Sequence, residues 1–278
     1  MLGLLPVSGI IPLKFPFAER YIYIPSLGLS FICAGYFAYV FCIYRNVPEK
    51  THRIPRIGCL ALFSLLIVLS IDRTADWKTD FSLWKATYKT TPNSPVVLYS
   101  LGKIFQDTNR LNKAEKAYRR AIALNEAYLA PYMNLAVIYI DEKRFGNALS
   151  VNAEILKRDP YCAIAHFNNA IIYKELNKKE MELSSYTKAI ESDPHFTPAY
   201  SALASYYMKQ NDSAKALETL SSGINKNHSW IEGYKQFYSY AVKSGNRSAF
   251  EAVIKQGIQS NPSSKELRLL YLKFNAEN

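Results

Sequence analysis

Two rhythms of apolar and polar positions divide the chain: residues 1–72 are strongly apolar, and residues 73–278 mix apolar and polar positions in a regular beat. Within the first part, Tyr21–Tyr44 carries no charge and is bracketed by Arg20 and Arg45. A helix needs ~20 apolar residues to cross the hydrocarbon core, so this run predicts a transmembrane helix. Pro25 suits its first turn, where a missing N–H costs nothing. Ser26, Ser30, Ala34, Ala38 and Cys42 recur every fourth residue and line one helix face with small side chains. Such stripes let membrane helices approach closely. The second run, Ile57–Ile71, is fifteen residues long. It is short for a span, but Arg56 can snorkel outward and lengthen it by about a turn. It predicts a second transmembrane helix.

The loop between the two runs, "RNVPEKTHRIPR", carries Arg45, Lys50, Arg53 and Arg56 against Glu49. Short basic loops stay on the cytoplasmic side. Both flanks, including the long polar part, are then expected in a lumen or periplasm.

The polar part repeats itself every 34 residues without a gap, in five segments that begin at Pro95, Leu129, Ala163, Thr197 and Ile231. Bulky and small residues recur at fixed offsets. The first segment has Leu98, Leu101, Gly102, Phe105, Ala114, Tyr118 and Ala121, and the second has Tyr132, Leu135, Ala136, Tyr139, Ala148 and Pro160. The third and fourth follow with Ala170, Tyr173, Tyr186 and Pro194, then Tyr200, Leu203, Ala204, Tyr207 and Ala216. The fifth, with Tyr234, Phe237, Phe250, Ile254 and Pro262, is the most degenerate. This is similar to the tetratricopeptide pattern of paired helices. Small residues let helices A and B of one repeat cross closely, and large ones fill the space between repeats, which cannot bury their apolar faces alone. The expected fold is therefore all-α, two transmembrane helices followed by a tetratricopeptide-repeat superhelix. The expected boundaries are a loop over residues 1–20, a membrane segment over 21–72, a capping half-repeat over 73–94, five repeats over 95–262 and a closing helix over 263–278. In the capping half-repeat, Trp77, Phe81 and Trp84 share one helix face, predicted to dock on the first full repeat.

Helix A of each repeat is expected to line a groove. Asn134 and Asn168 share its sixth offset in neighbouring repeats, while Ser100 and Ala202 interrupt the row on either side. An amide both donates and accepts, so such a pair reads a peptide backbone without demanding a sequence. Lys103, Phe167, Ile171 and Lys174 are its groove neighbours. The alternative is that the asparagines are simply solvated. Three Asn-x-Ser sequons, at Asn211, Asn227 and Asn246, fall at helix connections and matter only if this part is lumenal.

Composition narrows the chemistry. The net charge is +11, yet the excess is scattered and no nucleic-acid fold accompanies it, so nucleic acid is not an expected partner. His52, His166, His195 and His228 lie far apart, without metal-ligand spacing. Phosphate-binding loops and nucleophile motifs are absent from the sequence, and no cofactor or catalytic residue is assigned. Cys33, Cys42, Cys59 and Cys162 read as buried structural thiols.

The segment "LLPVSGIIPLKFPFAERYIYIPSLGL", two apolar runs, "DWKTDFSLW" and then tandem repeats, in that order, resemble the C-terminal part of the transmembrane-and-tetratricopeptide-repeat (TMTC) protein O-mannosyltransferases. Bacterial repeat-bearing membrane glycosyltransferases share the Ala-Glu-Arg-Tyr…Tyr-x-Pro-Ser segment. The resemblance implies transfer of mannose from a dolichyl-phosphate carrier to Ser or Thr of lumenal proteins, with the repeats in the endoplasmic reticulum lumen, or the periplasm for a bacterial chain. The family's catalytic acidic residues lie in an early lumenal loop upstream. The chain is therefore expected to be a fragment that handles the acceptor. Glu19 and Arg20 would stand on the lumenal shoulder of the first span, Arg20 holding a lipid phosphate bidentately beside Tyr21 and Tyr23 at headgroup level. The competing expectation is a membrane-tethered scaffold that only binds proteins.

Overall fold

The structure, a computed structural model, describes residues 78–276, with Ser64 alone before them. The first expected membrane span, the second but for Ser64, and Glu19, Arg20, Tyr21 and Tyr23 lie outside the described residues. Among those described, no helix is long and apolar enough to cross a membrane. The chain divides into two compact units, one ending at Pro92 and one beginning at Asn93.

The described end of the first unit is helix α1, Asp80–Thr90. Its start is a capping box: the backbone N–H of Ser82 donates to Thr79 Oγ1, and the N–H of Thr79 donates to Ser82 Oγ, each at 3.0 Å. Two otherwise orphaned donors are satisfied reciprocally.

The second unit is a tetratricopeptide-repeat superhelix. Helix pairs α2 Pro95–Asp107 with α3 Leu111–Leu124, α4 Leu129–Asp141 with α5 Phe145–Arg158, and α6 Ala163–Glu175 with α7 Lys179–Ser192 form the first three repeats. Pairs α8 Thr197–Lys209 with α9 Ser213–Lys226, and α10 Ile231–Lys243 with α11 Arg247–Ser260, form the last two, and α12 Lys265–Ala276 follows as one more A helix. In each of the five repeats the A helix packs on its own B helix and, from the second repeat on, on the B helix before it; neighbouring A helices also meet, except that repeats three and four touch more weakly there. No comparable contact joins successive B helices. The A helices therefore make the inner face of the coil.

The two reversals in each repeat have local causes. Every A helix ends on a left-handed residue at the same offset: Asn109, Lys143, Asn177 and Asn211 at φ between 56° and 60°, and Gly245 at 70°. In the first repeat the N–H of Arg110 donates to Phe105 C=O at 2.7 Å and that of Asn109 to Gln106 C=O at 2.9 Å. The same pair of bonds recurs in all five repeats. This double closure satisfies carbonyls that a helix end would orphan. Every B helix ends on Asn or Asp: Asn125, Asp159, Asp193 and Asn227 each accept from the N–H two residues on, at 2.9–3.1 Å. Asn261 takes the fifth place, accepting from Ser263 Oγ. These side chains imitate a backbone turn.

Close packing requires missing side chains as well as present ones. A methyl group added at Gly102 would lie 2.5 Å from the Tyr118 ring, which is fully buried. Cys162 is buried and free, as a small apolar filler would be.

Lys143 carries a side chain through a conformation that costs L-residues roughly 1–2 kcal/mol, where its counterparts are Asn or Gly. Lys143→Gly should therefore raise stability by about 0.5–1 kcal/mol. The check is the urea midpoint of the purified chain; a fall in the midpoint would show that the backbone there is not strained.

Candidate functional site

The inner face changes character along its length. In repeats two and three the A helices α4 and α6 set Met133, Val137 and Ile140 beside Ile164, Phe167 and Ile171. All are half-buried except Ile164, which is 40% exposed. The sequence reading singled out Phe167 and Ile171 but missed the other four. Their signal was the recurrence of apolar residues on the side of each A helix that faces away from its B partner. Phe167 also has a packing role: its ring meets Phe196 edge-on at 5.4 Å and Tyr186 at 5.9 Å. Lys103 on α2 and Lys174 on α6 are exposed.

The two asparagines sit in unlike surroundings. Asn134 Nδ2 donates to Tyr118 Oη at 3.1 Å, and Tyr118 Oη donates to Gln106 Oε1 at 2.8 Å. This relay ties repeat one to repeat two, and burial pushes the Tyr118 hydroxyl up to about 12. One repeat later, Asn152 replaces the tyrosine. It is fully buried and its Nδ2 donates to Asn169 Oδ1 at 2.8 Å. Asn152 Oδ1 and Asn168 Nδ2 are both shut off from solvent and without a hydrogen-bond partner. Each such orphan costs about 1–3 kcal/mol. Asn134 is half-buried and Asn168 only 5% exposed, so neither amide is fully solvated.

Repeats four and five close their stretch of the inner face with their own polar groups. Ser201 Oγ donates to Gln236 Oε1 at 2.6 Å, while Gln236 Nε2 donates to Ser205 Oγ at 3.1 Å and Tyr240 Oη at 3.0 Å. These side chains satisfy one another, unlike Asn168.

The three sequons have structural roles that the sequence reading did not see. Asn211 is the left-handed residue ending α8, and Asn227 is the turn-forming cap of α9, bonded to Ser229 N and Oγ at 3.1 and 2.7 Å. Asn246 precedes α11 and accepts from Ser248 Oγ at 3.4 Å. Asn211 and Asn246 are exposed, and Asn227 is half-buried. Among the described residues no cluster of His, Cys, Asp and Glu could hold a metal ion.

An ionic cluster braces the junction of repeats one and two. Glu115 accepts from Arg144 Nη1 at 2.9 Å, Tyr139 Oη at 2.7 Å and Arg119 Nε at 2.9 Å. Burial alone would raise its carboxyl, but these three donors outweigh it and hold the group at about 2.

A tetratricopeptide-repeat family model matches residues 96–128 and 163–196. Among solved structures, the chain is similar to PilW, a type IV pilus biogenesis factor (TM-score 0.54, 17% identity, covering 76% of this chain and 98% of that one). It is also similar to pilF of Pseudomonas aeruginosa (TM-score 0.52, 16% identity, covering 77% and 95%). At these identities the likeness is one of fold. The chain is a tetratricopeptide-repeat protein. It is also distantly similar to a Protein O-mannosyl-transferase of Caenorhabditis elegans, 31% identical over 129 residues, which cover 46% of this chain and 18% of that protein. Protein O-mannosyl-transferase TMTC3 of Mus musculus is 24% identical over 140 residues, 50% of this chain and 15% of that protein. The chain thus spans less than a fifth of the length of these relatives.

The Glu115 cluster makes stability depend on pH in a defined direction. A carboxyl held at about 2 rather than 4.5 stabilises the fold fully above its ordinary range, and the gain is lost as pH falls from about 4.5 through 2. Arg119 and Arg144 are 57% and 39% exposed, so solvent screening keeps the contribution near 1–2 kcal/mol. Glu115→Gln should lower the unfolding free energy by that amount at neutral pH and flatten its decline below pH 4.5. Equal acid profiles for the two proteins would remove the cluster from the stability of the junction.

Proposed function

We propose that this chain is a membrane-anchored protein whose repeats hold a protein segment, as the acceptor-binding part of a dolichyl-phosphate-mannose-dependent protein O-mannosyltransferase. The observation that carries the binding half is the apolar stripe from Met133 to Ile171 on the inner face, half-open across two neighbouring A helices. Extended segments bind such stripes by seating alternate side chains. Lys103 and Lys174 would flank the segment. Asn134 would exchange Tyr118 for a peptide carbonyl, and Asn168 would swing its unpartnered amide outward to another. The transferase half is supported by the relatives' names. On this reading the repeats are lumenal, the lipid donor's phosphate meets Arg20 beside Glu19, Tyr21 and Tyr23, and the sequons at Asn211, Asn227 and Asn246 are open to glycosylation.

Rescue of a knockout tests the binding and transferase halves together. The wild-type gene should restore O-mannosyl glycopeptides on lumenal proteins. Val137→Asp with Ile171→Asp should restore them roughly tenfold less well, since each change places a charge where an apolar side chain docks. Glycopeptide mass spectrometry reads the outcome, with circular dichroism of the variant as the folding control. O-mannose levels that ignore the knockout would discard the transferase half and leave the scaffold.

The orientation has its own check. Protease added to sealed microsomes should spare residues 73–278, and their digestion while the membrane stays intact would put the repeats on the cytoplasmic side.

A further inference from the structure

We propose that the C-terminal end of the inner face is a separate docking site for an acidic peptide segment bearing bulky apolar side chains. The site is the groove between α10 and α12, with a volume of about 800 Å³. Its apolar wall comprises Val242, Leu269 and Leu270. Leu269 is 64% exposed, as open as Leu272 (62%) on the same helix, but it alone of the two lines the groove. Lys235, Lys243 and Lys273 also line the groove, with Glu266 as the one acid. Glu266 accepts from Ser264 Oγ at 3.3 Å at the start of α12, and against its single negative charge the three lysines leave the lining positive. Lys235 meets Glu232 at 3.5 Å, but both are more than half exposed, and such pairs hold little energy.

A second observation fixes the sign of the partner. The five A helices end in Asp107, Asp141, Glu175, Lys209 and Lys243, in that order. All five are exposed. A helix C-terminus carries partial negative charge, so acids there are unfavourable and lysines favourable. The first three repeats thus keep acids against local preference, and the sign reverses where the groove lies. The helix ends thus add positive charge where the groove lies and not along the first three repeats. The polar network of Ser201, Ser205, Gln236 and Tyr240 separates this groove from the apolar stripe of repeats two and three. The groove runs between two helices, a shape that seats the side chains of an extended segment.

This inference rests on the reading of the inner face as protein-binding but not on the stripe or on mannose transfer. The probe is a fluorescent peptide of leucines spaced by aspartates, titrated against the full chain and read by anisotropy. It should bind, and Lys243→Glu or Leu269→Ser should weaken it tenfold or more. Both residues are exposed, so circular dichroism should stay unchanged. Val137→Asp with Ile171→Asp should leave the affinity unchanged, which separates this site from the stripe. Replacing the aspartates by lysines should abolish binding. Absence of binding, equal binding of the lysine peptide, or indifference to both groove variants overturns the proposal. So does capture of phosphatidylserine vesicles that depends on Lys243 while the peptide stays unbound.

Discussion

Where an A helix crosses its B helix, offsets eight and twenty of the repeat carry no side chain or a single methyl group: Gly102 and Ala114, Ala136 and Ala148, Ala204 and Ala216, all buried. Small residues there let the helices approach closely enough for the large ones to fill the repeat junctions, and the inner face follows from that stacking. Two repeats depart from the rule. The fifth has Tyr238 and Phe250 at these offsets, with ring centroids 5.0 Å apart, and Ala241 stands where the other repeats have Phe or Tyr. Bulk has moved across the interface while the pair still packs. The third sets Glu182 opposite Ala170, and burial raises that carboxyl while Lys174, Lys209 and Lys179 counter it.

The junction of the second and third repeats also leaves buried polar atoms unpaired, Asn152 Oδ1 on one side and Asn168 Nδ2 on the other. A buried carboxyl at an alanine offset and orphaned amide atoms across one junction are costs that repeats serving only as spacers would not need. They fall beside the apolar stripe. The polar network of repeats four and five shows the other solution, in which every member has a partner. One coil thus carries an open stretch and a closed stretch on a common frame.

Much of the repeat fold was legible because the small and large offsets recur at a strict period, as with Gly102 and Ala136 or Phe105 and Tyr139. The turn residues were legible in principle as well. Asn109, Asn177, Asn211 and Gly245 share one offset, but Lys143 interrupts the row and hides it. The groove was harder. Asn134 and Asn168 share an offset, yet one bonds to Tyr118 and the other is buried. The difference lies in residue 118 against residue 152, sixteen positions upstream of each asparagine. A side chain's partner across a repeat junction is not written in its own segment. The Glu115 cluster was invisible for the same reason, since Arg144 lies 29 residues away.

The asparagines that end many of the helices have a consequence for how this surface can change. Asn109, Asn125, Asn177, Asn211, Asn227 and Asn261 stand in turns for backbone reasons. Wherever the residue two places on becomes Ser or Thr, with no proline between, a glycan acceptor sequence appears without any change to the turn, as at Asn211 and Asn227. In a lineage whose repeats meet the glycosylation machinery, sugars can therefore be gained or lost by single substitutions on the rims of the coil. The packing that holds the coil together takes no part in the exchange.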